Sequence, residues 1–185
     1  MRLFIAVDVE EPSIVSRVAM VKSTIQSLNV PVKLVEDENL HITLLFIGEV
    51  SEYAAESIKE ALSTLSFRSF KIKLKGIGAF PSPGRPRVVW VGVDEGEEEL
   101  VKLHREVLSR VRKAGIQVSK QEFKPHLTIG RVKGTRNITA LTKMLMEYSE
   151  EEFGYQVVNE VRLKQSILTP KGPIYKTLYS VKASE

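Results

Sequence analysis

His41-Ile42-Thr43-Leu44 and His126-Leu127-Thr128-Ile129 are two versions of one phrase, and they use two of the chain's three histidines. The copies start 126 − 41 = 85 residues apart. The fold turns on whether their surroundings repeat too, and they do. Leu3-Phe4-Ile5-Ala6-Val7 reads as a buried strand closed by Asp8, and Arg87 to Val93 reads as another closed by Asp94. Asp8 lies 33 residues before His41 and Asp94 lies 32 before His126. A helical stripe at Ile14, Val18, Val21, Ile25 and Leu28 follows the first strand. Leu100, Leu103, Val107, Leu108 and Val111 follow the second, with Gly115 as a C-cap.

Downstream of each phrase the pattern continues. Ser51 caps a helix carrying Ala54, Ile58, Ala61, Leu62 and Leu65, and a strand runs from Phe70 to Phe80. After His126 come a helix around Ile138, Leu141, Met144, Leu145 and Tyr148, then strands near Gln156–Leu168 and Ile174–Val181. The unit is strand–helix–strand–helix–strand, and its length exceeds the roughly 20 to 50 residues of solenoid repeats. Two such units predict two lobes facing one another, approximately 1–84 and 85–185, within one domain spanning 1–185. The Pro-rich turn at Pro81–Pro86 is the expected crossover.

Composition sets outer bounds. Of 185 residues 43% are apolar, enough for a sizeable core. No apolar run approaches the roughly 20 residues that cross a bilayer, and the opening stretch lacks a signal-peptide pattern. Cysteine is absent, which excludes disulfides and thiolate metal ligands. A cytoplasmic protein is expected. The net charge of +4 is compatible with an anionic ligand without demonstrating one.

Residues i and i+2 of a strand point to one face, so His41 shares a face with Thr43, and His126 with Thr128. Ile42, Leu44, Leu127 and Ile129 point the other way, toward core. Two imidazoles on opposite sides of a cleft can take a proton from an attacking water and deliver one to a leaving alkoxide. That is the demand of in-line displacement at phosphorus, with the threonines donating to the non-bridging oxygens. Each His-x-Thr alone is also an ordinary half-exposed strand pattern, because threonine favours strands. A zinc site would need a third ligand, and the only recruits are Asp8 and Asp94, since no HExxH or third strand histidine is present. His104, on the second apolar stripe, reads as structural.

These residues resemble the signature of the two-histidine phosphoesterases. The similarity is greatest to the branch of RNA 2′,3′-cyclic phosphodiesterases, or 2′-5′ RNA ligases, of the LigT-like family. RLFIAV, both boxes, RVVWVGV, Arg131 and the ending QSILTPKGPIYKTLYSV all fit it. The resemblance implies a bilobal α+β fold with two antiparallel sheets lining a central cleft and helices outside. It implies hydrolysis of RNA 2′,3′-cyclic phosphate ends to 2′-phosphates with neither metal nor ATP. His41 would be the proton donor, His126 the proton acceptor, and Thr43 and Thr128 the phosphate ligands. Simple alternation turns Arg131 away from the cleft, and a bulge at Gly130 would return it as a further phosphate ligand. Phe4 and Trp90 are candidate base contacts, and Lys124, Arg85 and Arg87 candidates for a positive rim. The partner implied is RNA, with no membrane, no obligate protein partner and a monomeric state. Rival readings are 2′-5′ ligation by the same groups, a non-catalytic RNA-end receptor, and hydrolysis of a small cyclic nucleotide.

Overall fold

The computed structural model describes residues 1–184. Its helices form where apolar residues recur at three- and four-residue spacing. Helix α1, Pro12–Ser27, buries Ile14, Val18, Val21 and Ile25. It has no side-chain cap of its own; instead Gln156, from a distant strand, accepts from the N–H groups of Glu10 and Glu11 at 2.9 Å each. Helix α2, Glu52–Leu62, starts at Ser51, whose hydroxyl accepts from the Ala54 N–H as expected. Helix α3, Glu97–Lys113, opens on three glutamates and closes on Arg110, Arg112 and Lys113, a charge order that suits its dipole. Helix α4 is Ile138–Glu147. Among the described residues, no helix is long and apolar enough to cross a membrane.

Among the described residues nine strands complete the fold: β1 Arg2–Asp8, β2 Val32–Leu34, β3 His41–Glu49, β4 Phe70–Ser82, β5 Arg85–Glu95, β6 His126–Val132, β7 Glu152–Val158, β8 Glu160–Thr169 and β9 Gly172–Lys182. The strand expected over Gln156–Leu168 is thus two. Its buried positions are Gln156 and Val158, then Val161, Leu163 and Lys164. The step of three from Val158 to Val161 breaks the two-residue period, and there the chain leaves one half of the sheet for the other.

The strand order is β7-β4-β5-β6-β3-β1-β8-β9, antiparallel throughout, with β2 added to β6. The α+β class and the antiparallel pairing are as expected. The two sheets expected are joined edge to edge by the pair Ile42–Leu127, forming one hydrogen-bonded surface. The halves of this sheet cut across the two halves of the chain. β4, from the first sequence unit, pairs with β5, whereas β8 and β9, from the second, pair onto β1. Helices cross over as well, with α1 packed on β7 and α3 on β3. A boundary at residue 84 therefore marks the sequence repeat and separates no two bodies in space. The core lies between the sheet and its helices, where Leu3, Ile5, Ile42, Leu44, Leu127 and Ile129 are at most 1% exposed.

Candidate active site

The junction of the two half-sheets places the two His-x-Thr pairs. Ile42 and Leu127 are the partners that bridge β3 and β6, and their side chains are fully buried among the core residues. Continuing that antiparallel register sets His41 across from Thr128, and Thr43 across from His126. All four polar side chains line one cavity of about 250 Å³, together with Lys33, Glu36, Asn39, Arg131, Lys171 and Tyr175. Three of these additions are cations and one is a carboxylate, so the cavity favours an anionic guest.

Arg131 reaches the cavity because β6 carries an extra residue. Trp90 pairs with Thr128 and Val89 with Gly130, which leaves Ile129 as a bulge. Two residues beyond it Arg131 faces the same side as His126 and Thr128, and the extra residue sits at Ile129, one position earlier than the sequence suggested. Gly130 itself is pressed against β2; a Cβ there would stand 2.9 Å from Cγ1 of Val32. The same irregularity occurs in β3, where Ala6 pairs with Thr43 and Ile5 with Leu45, leaving Leu44 extra. By that register Phe46 is the counterpart of Arg131, and the guanidinium of Arg2 lies 5.4 Å over its ring.

Both imidazoles are anchored the same way. Nδ1 of His41 is 2.7 Å from the Asn39 carbonyl, and Nδ1 of His126 is 2.6 Å from the Lys124 carbonyl. A carbonyl only accepts, so Nδ1 carries the proton and Nε2 is left free for chemistry. Burial pushes His41 below the ordinary imidazole pKa; the Asn39 carbonyl opposes this, Lys164 and Arg131 add to it, and Asp8 opposes it. Burial also lowers His126, with the Lys124 carbonyl opposing and Arg131 adding. Aromatic walls cause the desolvation. Phe4 and Tyr175 flank His41 at 5.0 and 5.3 Å, and Phe80 stands edge-on to His126 at 5.0 Å.

Behind His41 lies a charged network that His126 lacks. Asp8 pairs with Lys164 and Arg162, and Arg162 also bonds Glu10 and Glu160 at 2.8 and 3.0 Å. Lys164 is only 4% exposed, and its ammonium lies 5.8 Å from the Tyr175 ring.

Other sequence candidates lie elsewhere. Phe4, 5% exposed, walls His41 and offers no open face for a base. Trp90 lies over Gly78, where a Cβ would meet its ring at 2.3 Å; it backs the His126 wall at 6.4 Å and does not line the cavity. The Lys124 side chain is 64% exposed and pairs with Glu122 at 3.8 Å; only its main-chain carbonyl serves the site. Arg85 and Arg87 line a separate groove with Lys133 and Thr135. His104 is on the buried stripe of α3, outside the cavity. The residues missed are Lys33, Glu36, Asn39, Lys164, Lys171 and Tyr175, most of them on turns and on the β8–β9 hairpin. Lys171 and Tyr175 lie in the ending QSILTPKGPIYKTLYSV that fits the family, but nothing in the sequence singled them out. Among the described residues, no three His, Asp or Glu side chains gather as a metal site.

Known proteins resemble this chain in sequence and fold. A profile of the 2′-5′ RNA ligase superfamily matches residues 15–161. A protein of Aeropyrum pernix named RNA 2′,3′-cyclic phosphodiesterase is 54% identical over 170 residues, covering 92% of this chain and 97% of its own. One of the same name from Archaeoglobus fulgidus is 51% identical over 178 residues, covering 96% and 98%. Among solved structures, one from Thermus thermophilus aligns with TM-score 0.77 at 28% identity, covering 98% of this chain and 97% of its own. The apo form of E. coli LigT aligns at TM-score 0.78 over 100% and 98%, and at 23% identity it speaks for the fold alone. By sequence and by fold, the chain belongs to the 2′-5′ RNA ligase superfamily.

Proposed function

We propose that this chain is an RNA 2′,3′-cyclic phosphodiesterase that opens cyclic ends to 2′-phosphomonoesters with His41 as acid and His126 as base. The observation that carries the reading is one cavity holding two Nδ1-anchored imidazoles, two threonine hydroxyls and an arginine. The relatives named above act under that name, which supports the same substrate class here.

Nε2 of His126 takes a proton from water, whose oxygen attacks phosphorus opposite O3′. The P–O3′ bond breaks, and Nε2 of His41 gives its proton to O3′, leaving a 3′-hydroxyl and a 2′-phosphate. Thr43, Thr128 and Arg131 bind the non-bridging oxygens, where charge builds. The acid assignment rests on the family resemblance; around His41, Lys164 and Arg131 oppose the protonated form and Asp8 favours it. No step needs a metal. Each half-sheet supplies one box, so on this reading the whole chain works as one unit.

The test is incubation with EDTA of a short RNA ending in a 2′,3′-cyclic phosphate, with the product read by phosphorus NMR. Wild type is expected to form the 2′-phosphate, and His41→Ala and His126→Ala each to lose about 10²- to 10⁴-fold in kcat. Binding of the RNA without turnover would sink the hydrolase, and joining to an added 5′-hydroxyl end would establish the ligase instead.

A further inference from the structure

The extra residues Leu44 and Ile129 stand at equivalent points of β3 and β6, each directly after the threonine of its box. A bulge re-aims the residues beside it, and the buried carbonyl of the extra residue still needs a donor. For Ile129 the donor is the N–H of Val35, just past β2, at 2.9 Å. The second sequence unit has no such strand: residues 117–119, which lie 85 beyond 32–34, form none. The Leu44 carbonyl accepts instead from Nδ1 of His104 at 2.6 Å.

The helix stripes show what was exchanged. α1 buries Ile14, Val18, Val21 and Ile25, and α3 buries Leu100, His104, Val107 and Val111, each 86 residues later. His104 occupies the position of Val18, so an imidazole replaces a valine on the side where the backbone donor is missing. Its ring has a second contact. Phe123 stacks on it at 4.2 Å and 4°. Phe123 precedes Lys124, whose carbonyl holds Nδ1 of His126.

We propose that His104 is a positioning residue for both catalytic histidines. Its Nδ1–H holds the β3 bulge that aims His41 and Thr43, and its ring face holds the segment that aims His126. This rests on the cyclic phosphodiesterase reading of the cleft. His104 touches no substrate, since it lies outside the cavity. A valine there would leave the Leu44 carbonyl without its donor. Asparagine would keep a donor and lose the ring, and phenylalanine would keep the ring and lose the donor.

The test compares His104→Val, His104→Asn and His104→Phe with wild type, at a temperature where circular dichroism shows each folded. Two readouts are taken: kcat and KM on a cyclic-phosphate RNA, and the ring-nitrogen NMR titrations of His41 and His126, which need no turnover. His104→Val is expected to lower kcat about 10- to 100-fold, as small misplacements of reacting groups do, while moving both titrations. KM should stay within about threefold, the sign of a loss confined to the chemical step. His104→Asn should restore the His41 titration and leave that of His126 shifted, and His104→Phe should do the reverse. A valine variant that melts lower but keeps wild-type kcat and both titrations would overturn the proposal and make His104 a core residue only. If the valine variant does not fold, the asparagine and phenylalanine variants decide by the same two titrations. Absence of wild-type turnover would remove the phosphodiesterase reading, while the titrations would still test His104.

Discussion

The His41 and His126 halves share a plan and differ in chemistry. In both, a strand with a bulge after the threonine presents an imidazole whose Nδ1 is tied to the carbonyl two residues earlier. The difference lies three residues past each threonine and behind each ring. The His126 half has Arg131 in the cavity, and the His41 half has Phe46 under Arg2. The His41 ring has Asp8 and Lys164 acting on it, whereas Arg131 is the one charged side chain acting on His126. A repeat thus builds a symmetric scaffold, and single substitutions on it give two identical side chains different surroundings.

The largest difference between the halves is expected when the paired positions are removed separately. Arg131→Ala is expected to cost about 10²- to 10³-fold in kcat, the loss typical of one donor to a developing charge. Phe46→Ala, at the same register of the other strand, should cost little. Steady-state kinetics on a cyclic-phosphate RNA checks both, and equal losses would show that the halves are not specialised.

Asp8→Asn tests the charged network next. It leaves buried Lys164 without its partner, at an expected cost of about 3 kcal/mol in denaturant unfolding. It also removes the one influence of a carboxylate that raises His41, so His41 should titrate lower still while His126 stays in place. In wild type both imidazoles are already lowered, so both limbs of the kcat/KM profile should lie on the acid side of about pH 6.5. The sign for stability follows from the same shifts. The unfolded chain binds these protons first as pH falls, so the stabilisation they contribute is present above about pH 6.5 and lost below it.

The smallest effect is expected at Lys124→Ala, within about twofold in kcat/KM, because only the main-chain carbonyl of this exposed residue holds His126. A larger loss in a kinetic assay would place its ammonium on the RNA.

The central four residues were legible because strand periodicity and an 85-residue register are local properties that survive in one dimension. Arg131 was half legible: Gly130 beside it suggested a bulge, though not at which residue. Tyr175 and Lys164 were not legible, because they enter the site through β8 pairing with β1, a contact between chain segments about 160 positions apart by register. The same limit applies to the sheet halves. Repetition told which segments are alike, and pairing between unlike segments decided which are neighbours. Lys124 failed for a plainer reason: its backbone serves the site and its side chain does not.

The exchange of β4 and β8 between the half-sheets has a consequence for how the molecule comes into being. β1, Arg2–Asp8, has β8, Glu160–Thr169, as one of its two partners. During synthesis the strand beside His41 therefore waits for the 164 − 4 = 160 residues that separate Phe4 from its partner Lys164. Domains with such distant pairings are of high contact order and assemble late. A nascent chain already carrying both His-x-Thr boxes is still without a finished cleft until β8 and β9 join β1.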